Sequence, residues 1–227
     1  VWDFSPLAIH KPDSTGYLDQ ALVIIPLPQP TEGTGSNNWA VAGKKTKNGN
    51  PILANDPHLS LNLPSLWYSM QLTTPEHSAK GATLPGALGV ISGFNQNIAW
   101  GVTNATKDTR DWYKITFQDE ARKAYKYGNE WRHTDFRIEE IKVKGVNFAL
   151  KWTVHEGSNE QRTFIMMNKA KDHAGYNAAL DHYAAPAQNF VFASRTGDIA
   201  MRIQGKFPLK WKDQGKFLMD GADPGME

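Results

Sequence analysis

Few residues in this chain are equipped for chemistry. There are seven histidines and no cysteine, which excludes thiol catalysis, cysteine-ligated zinc and disulfide staples. No His-x-x-x-His or His-x-His pair occurs, so a histidine metal site is not expected. Gly-x-Ser-x-Gly, the phosphate-binding P-loop and the dinucleotide fingerprint are absent as well, which argues against an α/β-hydrolase and against nucleotide or other organic cofactors. Three features remain. His58 stands in Asn55-Asp56-Pro57-His58-Leu59, held by a rigid proline just past an expected strand end, where functional side chains are often presented. Asp108 and Asp111 flank Thr109-Arg110, a spacing open either to a shared hard cation such as calcium or to a plain solvated turn. Ser36 follows a glycine-rich run in Gly33-Thr34-Gly35-Ser36-Asn37-Asn38-Trp39.

Ser36 has a bland reading as a linker-to-strand junction, and a chemical one. Cutting the chain between Gly35 and Ser36 would give the serine a free α-amine with a pKa of about 7.7–8.0. Near neutral pH such an amine accepts protons and lies within reach of its own hydroxyl. It can then serve as general base for that nucleophile without a histidine–aspartate pair. Glycine at position 35 leaves the approach to the scissile carbonyl unobstructed and tolerates the geometry of cleavage.

Those residues need elements to position them. Residues 1–35 read as a connector or processed tail, broken by Pro6, Pro12, Pro26, Pro28 and Pro30, with Gly16–Ile25 able to hold one short helix. Order is expected from Ser36: a strand at Trp39–Gly43, a two-residue turn at Asn48-Gly49, and a returning strand at Ile52–Asn55. A second β-region spans Gly89–Thr103 with its turn at Phe94–Asn97, and β-type residues continue through Trp112–Phe117. Gln118–Tyr127 is read as a short amphipathic helix, Phe136–Val143 as a strand, and Asn168–Tyr183 as the best helix, with Ala170, Ala174, Ala178, Ala179 and Tyr183 near helical spacing. A last hairpin, Asn189–Ala193 and Ile199–Ile203, turns at Thr196-Gly197-Asp198. Lys206–Glu227 resolves into no element. The sum is a β-rich α+β protein.

Composition sets the outer bounds. The chain of 227 residues carries 25 Lys and Arg against 23 Asp and Glu, a net charge of +2, so no nucleic-acid stripe is indicated. The longest apolar run, Ala21–Pro26, falls far short of the roughly 20 residues of a membrane span. No basic-then-apolar leader follows Val1, so any targeting peptide is expected upstream or already removed.

Ser36-Asn37-Asn38-Trp39 after a glycine, then Asn55–Leu59, then Pro64-Ser65-Leu66-Trp67-Tyr68, resembles the start of the β chain in the penicillin acylase family of N-terminal-nucleophile hydrolases. Further matches follow in order: Leu84-Pro85-Gly86, Ile98–Asn104, Asp111-Trp112-Tyr113 and Pro186–Phe190. The likeness runs from Ser36 to about Phe207.

The resemblance implies a four-layer α/β/β/α sandwich with Ser36 starting a central strand. It makes Gly35–Ser36 the autocatalytic cleavage site, Ser36 the nucleophile, and His58 a hydrogen-bonding neighbour of the serine amine and hydroxyl. The backbone N–H of Asn104 becomes an oxyanion donor, a kind of contact worth about 2.7–4 kcal/mol of barrier. Leu59, Trp67, Ser92 and Val102 fall near the acyl pocket. Asp108 and Asp111, with the carbonyl of Arg110, match a loop that binds structural calcium in relatives, which turns the reading of that loop from bland to functional. The substrates implied are N-acyl amides, either β-lactam side chains or N-acyl-homoserine lactones. Antibiotic-resistance or quorum-quenching roles would follow. The partner is the α chain of the same precursor, and the location is periplasmic or secreted. Residues 1–35 then become α-chain tail and spacer, and 36–227 the first part of a β chain that stops before a later asparagine and arginine of the family. Where relatives carry a His-Gly-Pro strand pair, Gly145 runs directly into Val146, as though a stretch were excised. With Ser36 still joined to Gly35, the chain as written is a zymogen without its base. The competing reading is a catalytically silent β-rich binding or assembly module derived from this family.

Overall fold

The structure is a computed structural model that describes residues 35–59, 61–105, 109–135, 149–215 and 217–226. The expected helix at Gly16–Ile25, the expected strand at Phe136–Val143 and Asp108 lie outside those residues. In chain order the strands are β1 (Gly35–Val41), β2 (Ile52–His58), β3 (Tyr68–Thr73), β4 (Ser78–Thr83), β5 (Ser92–Asn95) and β6 (Ile98–Asn104). Then come β7 (Arg110–Lys114), β8 (Ala124–Tyr127), β9 (Glu130–His133) and β10 (Ala149–Trp152). Helices α1 (Glu160–Lys169) and α2 (His173–Leu180) precede β11 (Gln188–Ser194), β12 (Ile199–Gln204) and β13 (Met219–Asp220). The described residues gather into two units, 35–105 with 156–207, and 109–135 with 149–155 and 208–226.

The first unit is built on a six-stranded antiparallel sheet ordered β12-β11-β6-β5-β4-β3. Alternation along β6 and β11 sends Ile98, Trp100, Val102, Phe190 and Phe192 into one core with Phe164, Met167, Tyr176, Ala179 and Leu180 of the two helices. Each large side chain buried this way contributes about 1.5–3 kcal/mol. The polar ends of the aromatic residues are satisfied: Trp100 Nε1 donates to the Ile91 carbonyl at 3.0 Å and the Tyr176 hydroxyl to the Phe190 carbonyl at 3.0 Å. Against the other face lies the β1–β2 hairpin, in register Ser36 opposite Pro57 and Val41 opposite Ile52. Its Asn38 Nδ2 donates to the Asn189 carbonyl of β11 at 3.0 Å. Helices, sheet and hairpin make an α/β/β stack, which is β-rich α+β as the sequence indicates; among the described residues there is no second helical layer.

In the second unit β7 lies between β10, antiparallel, and β13, parallel, and β8 pairs with β9. Tyr113, Trp211, Met219 and Met226 form its core.

Three expected elements differ. The Asn48-Gly49 pair does not close a two-residue hairpin. The connection runs from residue 42 to 51 and includes a short 3₁₀ turn at Gly43–Lys45. Thr46 Oγ1 there donates to the carbonyls of Gly43 and Asn50, so the loop is held by its own polar side chains rather than by a tight turn. Gln118–Tyr127 is not a helix. Arg122 sits at φ 55°, which no helix tolerates, and the chain folds back so that Gln118 N donates to Ala124 O and Lys126 N to Thr116 O. The two-residue hairpin turn is instead Gly128-Asn129, with Gly128 at φ +57° joining Tyr127 to Glu130. The helix at Asn168–Tyr183 is two helices. The break comes where Ala170 turns extended and the Asp172 carboxylate accepts the Gly175 N–H at 2.8 Å, capping α2. Lys206–Glu227, with no expected element, supplies β13.

Candidate active site

The first unit encloses a cavity of about 510 Å³. Ser36 opens onto it from β1, Pro57 and Leu59 from the end of β2, and Val102, Thr103 and Asn104 from the end of β6. The loops and α1 supply an apolar wall that includes Leu66, Trp67, Leu84, Ile91, Phe164 and Tyr183. Glu160, Gln161 and Gln188 are the longer polar groups at its edge. A serine and a strand end therefore share the lining of a mostly hydrophobic chamber, an arrangement suited to holding an apolar group.

Hydrogen bonds fix the end of β6. Gln188 Nε2 donates to Asn104 Oδ1 at 2.8 Å, Asn189 Nδ2 donates to the Asn104 carbonyl at 3.2 Å, and Ala105 N donates to the Ala187 carbonyl at 3.1 Å. Glu160, at the start of α1, accepts the N–H groups of Ala184 and Ala185 at 3.1 and 3.0 Å. Burial works against its ionisation, but bonds from Ser158, its own backbone, Ala185 and Ala184 outweigh that and hold its carboxyl below the usual glutamate value. Leu88 N donates to Gln161 Oε1 at 2.7 Å. These contacts make the helix start a rigid part of the wall. Burial pushes the Tyr183 phenol well above its ordinary range, with the Glu160 carboxylate adding to the effect.

Of the residues singled out from sequence, Ser36, Leu59, Trp67, Val102 and Asn104 line this one cavity. His58 is opposite Gly35 in the β1–β2 ladder, outside the cavity wall, and its ring Nδ1 lies 3.7 Å from the Asp56 carboxylate with both side chains more than half exposed. Ser92 is also off the wall; its hydroxyl donates to Asn55 Oδ1 at 2.5 Å. Gly35 is exposed at the first position of β1. Glu160, Gln161 and Phe164 were not singled out from sequence, because the expected helix began at Asn168, and Tyr183 was read only as the last position of that helix, whereas it lies past the end of α2 and lines the cavity. The Phe164–Met167 spacing ahead of Asn168 carries the signal of α1. Sequence reasoning also passed over Asn55 as a residue with a role of its own.

Of the three residues assigned to calcium, Arg110 and Asp111 lie in β7. Asp108 is outside the described residues, and the Arg110 guanidinium lies 5.9 Å from the centre of the Trp152 ring. The Asp111 carboxylate lies 2.7 Å from the Lys210 ammonium, with side-chain exposures of 9% and 12%. An ammonium thus supplies at Asp111 the positive charge that a cation would, and no cluster of three potential ligands occurs among the described residues.

Residues 6–227 match the sequence pattern of the family described as penicillin amidase. The chain belongs to that family. Its relatives include the acyl-homoserine lactone acylase QuiP of Pseudomonas aeruginosa, 34% identical over 53% of this chain and 14% of that protein. QuiP of Pseudomonas fluorescens is 27% identical over 79% of this chain and 26% of its own. The penicillin acylase 2 proenzyme of Pseudomonas sp. strain SE83 is 38% identical over 50% of this chain and 15% of that protein. Among solved structures, the thermostable penicillin G acylase from Alcaligenes faecalis superposes with a TM-score of 0.67 at 20% identity, over 82% of this chain and 38% of that one. That likeness establishes the penicillin acylase type of fold. The chain spans about a quarter or less of the length of these curated relatives.

Proposed function

We propose that this chain is the catalytic part of an N-terminal-serine amide hydrolase that removes an apolar acyl group from an N-acyl amide. The observation that carries the reading is the presence of Ser36 and the end of β6 on one mostly apolar cavity, in a chain of the penicillin amidase family. In the first event the Ser36 hydroxyl attacks the Gly35 carbonyl and the peptide nitrogen leaves as the α-amine. Water then hydrolyses the resulting ester to free the Gly35 carboxylate. In turnover the α-amine takes the hydroxyl proton as Ser36 Oγ attacks the substrate carbonyl, and the oxyanion is met by the Asn104 N–H. Collapse expels the amine, which takes that proton, and leaves an acyl ester on Ser36. Water, deprotonated by the same α-amine, attacks the ester and releases the acid. The hydrophobic wall favours an aliphatic or aromatic acyl chain, and N-acyl-homoserine lactones fit the named activity of several relatives. The partner in this reading is the α chain of the same precursor, in the periplasm or outside the cell, and His58, opposite Gly35 in the β1–β2 ladder, is the hydrogen-bonding neighbour of the serine amine.

The test is the intact mass of the full-length protein. A new N-terminus at Ser36 in the wild type, and an uncut Ser36→Ala variant, are expected. A folded, soluble wild type that stays intact would favour the silent-module reading instead.

A further inference from the structure

Asn55 sits where two strands part. The β5–β6 ladder pairs Phe94 with Ala99 and Gly93 with Trp100 and goes no further, while Ile91 N turns away to donate to the Ala82 carbonyl. Beyond that point Val102 of β6, itself almost fully buried, has no β5 residue to bond with. The Asn55 side chain fills the gap. Its Nδ2 donates to the Val102 carbonyl at 2.9 Å and its Oδ1 accepts the Val102 N–H at 3.1 Å. One primary amide so satisfies both backbone groups of one residue, as a neighbouring strand would. The Ser92 hydroxyl donates to the same Oδ1 at 2.5 Å and orients the amide, and Nδ2 also lies 3.5 Å from the Asn37 carbonyl. Glycine at 101 is required for this approach, since a Cβ there would stand 2.6 Å from the Asn55 side chain.

We infer that Asn55 is a positioning residue that sets Ser36 against Asn104. Asn55 belongs to the strand paired with β1, and its Nδ2 lies beside the carbonyl of the residue after Ser36. The Val102 that it grips is two residues before Asn104 on the same strand. Both Ser36 and Asn104 reach the cavity from strands that Asn55 joins, so its amide sets the offset between nucleophile and oxyanion donor. Displacement of a reacting group by about 1 Å can lower a rate about 100-fold. This inference stands on the Ser36 reading given above.

The experiment uses the full-length processed enzyme and a chromogenic N-acyl anilide. Asn55→Ala is expected to lower kcat roughly 50-fold, with KM within about two-fold of wild type, because a misaligned site loses contacts made only in the transition state. Asn55→Asp keeps the acceptor for the Val102 N–H but loses the donor, and is expected to fall between Asn55→Ala and wild type. Ser92→Ala leaves both Val102 bonds and is expected to lose about three-fold. If Asn55→Ala does not fold or is not cut, the Asp and Ser92 variants decide by the same kcat-against-KM comparison. A purely structural role would lower the melting temperature and leave kcat per cleaved molecule unchanged, as expected for Asn168→Ala, since the Asn168 side chain bonds both backbone groups of Val90 away from the cavity wall; that outcome, or a rise in KM alone, would overturn the inference. A wild type whose turnover survives Ser36→Ala overturns the serine reading itself, whereas dependence on Ser36 with indifference to Asn55 overturns only this one.

Discussion

Two asparagines grip this sheet in the same way and for different ends. Asn168, at the end of α1 and almost fully buried, donates to the Val90 carbonyl at 2.8 Å and accepts the Val90 N–H at 2.8 Å. Asn55 does the same to Val102, from the opposite layer. The Asn168 clamp fastens the helices to the sheet ahead of β5. Its neighbours are further fastenings, with Asn95 Nδ2 donating to the carbonyls of Asn168 and Ala170. The Asn55 clamp joins the two strands whose ends face the cavity. One chemical device supports stability where both its ends are structure and, in the proposed reading, alignment where it ties the partner strand of β1 to β6, beside Ser36 and Asn104. Context, not the bond, sets the role.

The largest expected effect sharpens the comparison from a third place. Lys210→Met would leave the Asp111 carboxylate buried without its ammonium, a change that costs about 3–5 kcal/mol in stability. Thermal unfolding should register it, with kcat per processed molecule unaltered; an unmoved melting temperature would show that the pair is not held as described. Next comes Asn168→Ala, which strands two buried backbone groups at about 1–3 kcal/mol each. Its signature is a lower melting temperature with kcat retained, the reverse of Asn55→Ala, and equal behaviour of the two variants would break the comparison.

A smaller effect concerns Glu160. Its folded pKa lies below the ordinary 4.5, so its bonds to Ala184 and Ala185 stabilise the fold above that value and fade as the pH drops through the lower folded value. The melting-temperature gap between wild type and Glu160→Gln should therefore be constant above pH 4.5 and narrow below it. A gap that widens on acidification would contradict the assignment. The smallest effect is expected from chelation. With the Lys210 ammonium already beside the Asp111 carboxylate, EGTA should shift the melting temperature of the full-length protein by no more than about 1 °C, whereas loss of an ion bound at 100 times its dissociation constant would remove about 2.7 kcal/mol. A large drop would instead support a bound cation at Asp108 and Asp111.

Local signals in the sequence were faithful where the structure they specify is local. The β5–β6 turn reads out because Asn95 Oδ1 accepts the N–H groups of Asn97 and Ile98, and the β11–β12 turn because Gly197 takes φ +102°. Glu120-Ala121-Arg122-Lys123 favours helix locally, but the pairing of the following Ala124–Tyr127 with Glu130–His133 overrides it and leaves 120–123 as a turn. At the site, Ser36, Asn104 and three wall residues were legible through ordered motifs that mark a family. Glu160, Phe164 and Tyr183 were not, because they reach the cavity from an unforeseen helix start and from beyond a break in the expected one. Asn55 was visible only as a neighbour of His58. Its role appears when residues far apart in sequence, Asn55 and Val102, are seen to share two hydrogen bonds.

The most direct test of the account is to trap the acyl-enzyme. The full-length enzyme is mixed with a slow N-acyl anilide, quenched in acid, and its peptides are weighed. One acyl group on the peptide that begins at Ser36, absent from Ser36→Ala, is the predicted result. An acyl group on another residue, or undiminished turnover by Ser36→Ala, would contradict it.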